Sequence, residues 1–377
     1  MSLGNPLGNP LGNPLGLARS GGVDGSVGVI RAQGNDPGGN YLPADGRQLL
    51  KAIYPKLFSL LGEAYTPADY TSGFSLVTLS ASSTWKSLAY GNGIFVAISQ
   101  NGLSSLSFDK GLTWSAGGNL PVATQWQSVT YGNGLFVAVA TGPVAYCATS
   151  PDGATWTQRT LPVSSNWSAV AYGGGRFIAL GSGQATAHSM DGINWTAGGA
   201  SGVSAVTFKV AYGAGLFVAT PGSGVSTASV YTSPDGLTWT SRTLPSTTTW
   251  QSIAFGNDLF VMVGSGNAIV TSTDGVTWTN PGAISFSRTV IAYGMGDFLT
   301  FNSSTANSQT SPDGKTWVSR PITVLSYTDA AVGDGVLIAI ATTTASASRI
   351  DLVSPIIFNL PNIKTLDSNK ITYIKVR

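Results

Sequence analysis

Trp126-Gln-Ser-Val-Thr-Tyr-Gly-Asn-Gly-Leu-Phe-Val-Ala-Val139, followed by Thr149-Ser-Pro-Asp-Gly-Ala-Thr-Trp-Thr157, is one full copy of a motif that the chain repeats. Its first half, an aromatic followed by Gly-x-(Gly/Asp), recurs at Tyr90, Tyr131, Tyr172, Tyr212, Phe255 and Tyr293, with a weaker seventh copy at Val332, at spacings of 38 to 43 residues. Its second half, Asp-Gly-x-Thr-Trp and near-copies, ends at Trp114, Trp156, Trp195, Trp239, Trp278 and Trp317, spaced 39 to 44 apart. A period near 40 that contains several short strands has the length of one four-stranded propeller blade.

The unit that holds Trp126 reads as strand A over 128–131, B over 135–140, C over 145–150 and D over 155–161, with Gly-rich or Asp-Gly turns between. Leu-Phe-Val-Ala-Val is too apolar and too β-branched for a surface strand, which suits a position buried between neighbouring blades. In Ser-Pro-Asp-Gly each residue has a turn role: Pro presets φ, the Asp carboxylate accepts backbone N–H groups, and Gly takes a positive φ. Seven A–B elements but six complete C–D elements are present. The missing strand D is supplied near the front, where 74–85 aligns with 156–167. The sequence therefore predicts an all-β, seven-bladed propeller over 73–353. Its last blade, strands A to C at about 326–353, closes on an N-terminal strand D, which removes exposed edges.

Ser107-Phe-Asp109-Lys-Gly-Leu-Thr-Trp114 resembles the Asp-box repeat of sialidase-like propellers, and the other five copies are one residue shorter before the Gly. The resemblance implies a structural turn rather than a catalytic one, and assigns that role to Asp109, Asp152, Asp191, Asp235, Asp274 and Asp313.

Outside the propeller, Pro37-Gly-Gly, Leu42-Pro-Ala-Asp45-Gly46 and Tyr54-Pro-Lys-Leu-Phe58 resemble the opening of the phage tail-collar domain of short tail fibres. Phe358-Asn-Leu-Pro-Asn362 and the closing Tyr373-Ile-Lys-Val resemble that family's later motifs, with Asn362 in place of the usual Asp. The reading is a small α+β collar domain over 23–72 plus 354–377, split by the inserted propeller. A helix is predicted around 48–61 from the apolar stripe Leu49, Leu50, Ile53, Leu57, Leu60 and Leu61, with Pro55 as a point where it restarts. Ahead of it, residues 1–22 carry Leu-Gly-Asn-Pro three times, a Gly/Pro-rich period read as a peptide that anchors the protein on other tail or baseplate proteins.

Charged residues make up 10% of the chain and the net charge is +2, which gives no electrostatic footprint for nucleic acid. No apolar run is long enough to span a bilayer, and no secretory leader is read at the front. With one cysteine, Cys147, an intramolecular disulfide is impossible, and Cys147 reads as a core filler. His188 is the only histidine, so a Ser-His-Asp triad or a His-based metal site has no second member. Paired-carboxylate hydrolysis needs two acids at a fixed separation. Here the sole glutamate, Glu63, lies in the collar-like part, while Asp258, Asp297 and Asp334 fall in A–B turns on the same rim as the Asp boxes. The opposite rim keeps only Asp329. No catalytic residue, metal or cofactor is assigned.

That opposite rim, made of B–C loops and D–A connections, faces away from the collar in this reading. Trp85, Trp126, Trp167, Trp250 and Tyr327 open the innermost strands and are expected to circle the channel mouth as platforms for a sugar. Ser, Thr, Asn and Gln around them would supply hydrogen bonds. The functional expectation is a virion protein of a phage tail tip or baseplate, trimeric by the collar resemblance, that meets a host-surface glycan or protein through this rim. The alternatives are an architectural baseplate component and a glycan-degrading enzyme.

Overall fold

The structure, a computed structural model, describes residues 70, 73–121, 125–142, 144–199, 207–222, 224–282, 289–302, 307–323, 325–342 and 344–352. It also describes the backbone of 30–33, 41–43, 48–50, 357–359 and 371–375. The Leu-Gly-Asn-Pro repeat lies outside the described residues. The chain divides into two compact units, one of residues 1–69 and 352–377, the other Tyr70–Asp351.

In the smaller unit both chain ends contribute to the same sheets. Ile371–Lys375 lies between Ile30–Gln33 and Tyr41–Pro43, antiparallel to each. Gln48–Leu50 pairs with Ile357–Asn359. The start of the predicted helix is thus corrected to a strand. A short apolar run fits either period, and a partner strand from the far end of the chain decides for the extended form. Residues 51–61 lie outside the described residues.

The larger unit is an all-β propeller. Each A–B hairpin turns on two residues of positive φ, as at Asn133 (46°) and Gly134 (79°), the geometry that matches the twist of the strands it joins. Strand B is the most apolar, and Ile94–Ser99 and Val336–Ala341 are buried along their whole length. The blades Trp85–Gly91, Ile94–Ser99, Ser104–Ser107, Ser115–Ala116 and Gln125–Gly132, Leu135–Thr141, Val144–Ser150, Thr157–Ser165 run from inside to outside in chain order. So does the blade that begins with Trp167–Gly173.

The blade count differs from the sequence expectation. The propeller has six blades rather than seven, five of them four-stranded and one six-stranded. The reason is Thr240–Gly256, a single strand of 17 residues. Its first part pairs with Ser226–Ser233 as an outer strand, and its second part pairs with Leu259–Gly264 as an inner one. Two copies of the sequence repeat therefore share one continuous sheet. The D–A connection at 245–249 is extended and hydrogen-bonded, with Thr249 opposite Ser226 and Thr248 opposite Thr227. The second copy's outer strand shrinks to a bridge between Thr271 and Thr279.

The mixed blade is present: Tyr327–Gly333, Val336–Ala341 and Ser346–Asp351 are completed by Ser75–Thr78 from the other end of the propeller. Packing closes the circle as well. At the end of each inner strand a glycine lies flat against the side chain that opens the next hairpin: Gly91 against Tyr131, Gly132 against Tyr172, and so on round to Gly333 against Tyr90. A Cβ at any of these glycines would fall within that side chain, an aromatic ring in every case but Val332 against Gly294. Close approach, not a special φ, is what demands glycine here.

Candidate functional site

The five rings expected at the channel mouth are core residues instead. Trp85, Trp126, Trp167 and Trp250 are 0% exposed and Tyr327 is 3% exposed. Each lies between blades, as Trp126 does among Ile98, Leu120, Phe136 and Ala148. The indole N–H groups of Trp85 and Trp167 donate to the carbonyls of Ala81 and Val163, at 3.2 and 3.3 Å, and that of Trp250 to Thr227 at 3.1 Å. Burial pushes the Tyr327 phenol up to about 12. Large rings at a strand start gain more from filling the wedge between two sheets than from facing a wet channel. No sugar can stack on them.

The aspartate turns hold their carboxylates in place. In one, Asp274 accepts N–H groups of Val276 and Thr277, each at 2.8 Å, and the Ser272 hydroxyl at 2.9 Å. The indole of Trp278 closes the turn on the Gly275 carbonyl. Asp109, Asp152, Asp191, Asp235 and Asp313 repeat the arrangement. Hydrogen bonding to the charged form, the Thr277 N–H foremost, lowers Asp274 to about 2. Asp109, with its extra turn residue Lys110, is held below the usual carboxylate range chiefly by Thr113. These six side chains build turns.

The remaining propeller carboxylates are engaged too, apart from Asp258. Asp297 accepts the Tyr70 hydroxyl at 2.8 Å, under an Arg320 guanidinium that stacks on the Tyr70 ring at 4.4 Å. Burial first, then the Asp297 charge, drives the Tyr70 phenol far above its ordinary range. Asp334 pairs with Lys110, and Asp351 with Arg349. Cys147 is buried, and burial raises its thiol to about 12, which leaves it inert. His188 stands in Thr186–Ser189 with its Nδ1 buried and without a hydrogen-bond partner among the described residues. Among the described residues no three His, Cys, Asp or Glu side chains converge as metal ligands.

What the architecture does build is a polar central channel. It encloses about 320 Å³ and is walled by the inner strands of the ring, with Lys86, Gln127, Ser168, Lys209, Ser252 and Asp329 among its polar lining. Inner strands are edge strands, so their channel-side N–H groups lack a sheet partner. Neighbouring side chains supply one. Ser87 Oγ accepts Val129 N–H, Ser128 accepts Val170, Ser168 accepts Phe208 and Ser252 accepts Ile291, at 3.0 to 3.3 Å. At the closing seam a carboxylate does the same: Asp329 Oδ2 accepts the Ser87 hydroxyl at 2.8 Å and Leu88 N–H at 2.9 Å.

A recurring β-bulge marks five of the inner strands, and three of the residues it carries, Lys86, Gln127 and Ser168, line the channel. The register slips by one between Trp85 and Ser87, Trp167 and Ala169, Trp250 and Ser252, and Tyr327 and Asp329. Opposite Val139 and Ala140 the slip skips Gln127. The skipped residues are Lys86, Gln127, Ser168, Gln251 and Thr328. A bulge re-aims the side chain it carries. This belt of polar residues, one place beyond the buried aromatics, was not picked out from the sequence. Its signal was there, since after four of the five aromatics, all but Trp167, two adjacent polar residues break the alternation of a regular strand.

Fold and channel together define a β-propeller with a polar, lysine-bearing bore. The sequence profile of the DUF6242 beta propeller domain matches residues 111–229 and 207–331, together more than half of the chain, and the chain belongs to this family. No curated protein sequence matches it. Among solved structures, YCF48 bound to D1 peptide is similar at a TM-score of 0.61 and 17% identity, over 78% of this chain and 99% of that one. Virginiamycin B lyase from Staphylococcus aureus is similar at a TM-score of 0.64 and 12% identity, over 74% and 99%. YCF48 from Cyanidioschyzon merolae gives 0.57 and 16%, over 74% and 98%. At these identities the likeness is one of fold.

Proposed function

We propose that the protein is a phage tail-tip component in which the propeller is the recognition module and catalyses nothing. The topology carries this reading: strands from both ends of the chain pair in one small unit, so the propeller is an insertion whose removal leaves that unit's pairing partners intact. The collar-like motifs lie in those flanking segments, and they are what suggests a virion setting and a trimer. The engaged state of nearly every propeller carboxylate favours binding over hydrolysis. A propeller of similar fold is named as bound to a peptide, which favours a ligand-holding role for the scaffold. The partner is a host-surface glycan or protein met at the rim of B–C loops and D–A connections, with the repeat at 1–22 as the attachment to other tail proteins.

Phage adsorption tests this. Excess purified chain, added to bacteria before phage that encode it, is expected to slow adsorption in proportion to its occupancy of the cells. Unchanged adsorption on cells saturated with the chain would overturn the reading and favour an architectural baseplate role.

A further inference from the structure

The channel carries a charge arrangement that the fold does not need. Lys86 and Lys209 both line it, from the first inner strand and the fourth, so they approach from far sides of the bore. Both are half-buried. Neither has a hydrogen-bond or ion-pair partner among the described residues. Asp329, the one carboxylate in the lining, already accepts the Ser87 hydroxyl and the N–H groups of Leu88 and Ala330. An ammonium drawn part-way out of water without a counter-charge is unfavourable, and a lysine there is more easily replaced than kept unless something pairs with it.

The hydroxyls point to the same chemistry. Ser128, Ser168 and Ser252 each accept a backbone N–H from the neighbouring strand, which occupies a lone pair and leaves the hydroxyl proton. Those protons have no acceptor among the described residues. Accepting an N–H polarises the O–H and strengthens it as a donor. The bore thus brings hydroxyl donors and two ammonium groups together around a single carboxylate that is already engaged. At about 320 Å³ it sits at the small end of ligand-binding pockets.

We infer that the central channel is a binding site for a compact oxyanion, a carboxylate or phosphate carried on a sugar-sized ligand. Lys86 and Lys209 supply the charge, and the Ser128, Ser168 and Ser252 hydroxyls supply directed hydrogen bonds. The site stands on the channel's own geometry and goes beyond the rim reading. Loss of one leaves the other untouched.

Calorimetric titration of the full chain tests it, with D-glucuronate, D-glucose 6-phosphate, inorganic phosphate and neutral D-glucose as probes. Saturable binding of at least one anionic sugar is expected, weakening as salt is raised, with no heat from glucose. The two anionic arms separate carboxylate from phosphate, and inorganic phosphate shows whether the sugar contributes. Lys86→Gln and Lys209→Gln should each weaken binding about tenfold or more, the scale of a hydrogen bond to a charged group, without shifting the melting temperature. Ser252→Ala gives a second, uncharged readout, with a smaller loss. No binding of any anion at 10 mM or so, equal binding of glucose, or affinity indifferent to both lysine substitutions would overturn the assignment.

Discussion

Lys110 Nζ lies 3.3 Å from Asp334 Oδ2, across the seam where the last hairpin of the propeller meets its first blade. Lys110 is the additional residue that sets its aspartate turn apart from the five shorter copies. Its carbonyl accepts Arg349 Nε at 2.8 Å, and that guanidinium also grips Asp351 through both oxygens, at 2.8 and 2.6 Å. The one-residue insertion thus sits at the single place where the ring is closed by non-consecutive chain. Asp329 and the contact of Gly333 with Tyr90 reinforce the same seam.

The two basic residues of that seam are expected to differ in weight. Lys110 and Asp334 are each about half exposed, so Lys110→Ala should change stability by less than about 1 kcal/mol. Arg349 is 7% exposed and holds three hydrogen bonds. Arg349→Ala should cost about 2 kcal/mol or more, read as a lower urea midpoint at unchanged slope.

Gly333→Ala places a methyl in the Tyr90 ring and should destabilise by about 1–3 kcal/mol, the range for overpacking a close-packed contact. Gly117 offers a contrast of type, since its added methyl would meet the Ser104 hydroxyl and Leu106 rather than an aromatic face. Thermal unfolding of both variants checks the comparison. A Gly333→Ala protein as stable as the parent would mean that the seam is not packed as described.

Trp167→Ala is expected to lower stability by about 3–5 kcal/mol, because a wholly buried indole and its hydrogen bond to Val163 are lost together. Sugar binding at the channel should not respond while the variant remains folded. Parallel denaturation and titration of the same sample separate the two effects.

Acid stability follows from the aspartate turns. Their carboxylates are held below the unfolded value near 4, Asp274 at about 2. A depressed folded pKa contributes stability that is fully present above the unfolded value and is lost as pH falls through the folded one. The melting temperature should therefore be flat, as far as these groups go, from neutral pH down to about 5, and fall between about 4 and 2. Asp274→Ala removes three of these hydrogen bonds and should flatten that acid limb slightly while lowering stability at pH 7 by about 1–2 kcal/mol. A melting curve insensitive to pH between 4 and 2 would contradict the turn chemistry.

The period of the repeat was legible from Tyr90 to Trp317 because its turns leave a chemical signature: Asn-Gly and Asp-Gly pairs with positive φ, and carboxylates placed two residues after a serine. Even the closing strand at Ser75–Thr78 could be aligned to its fellows. The blade count was not legible. It turns on whether the link at 245–249 bends away or keeps pairing, and Pro-Ser-Thr-Thr-Thr reads as a D–A connection although its β-branched run extends readily. Nor was the burial of the strand-opening aromatics legible. A tryptophan at a strand start looks the same in sequence whether it faces a ligand or a wedge between sheets, whereas the bulge that decides the matter appears only as a polar residue out of phase beside it. Lys86 and Lys209 occupy different positions within their repeats, so no periodic argument brought them together; the ring does.

The most direct test of the recognition role compares two labelled proteins on the same bacteria: the full chain, and one in which residues 73–352 are replaced by a short linker, each first verified as folded by circular dichroism. Saturable binding by the full chain that the shortened protein lacks is the predicted result. Equal binding by both, or none by either on strains the phage adsorbs to, would contradict the account.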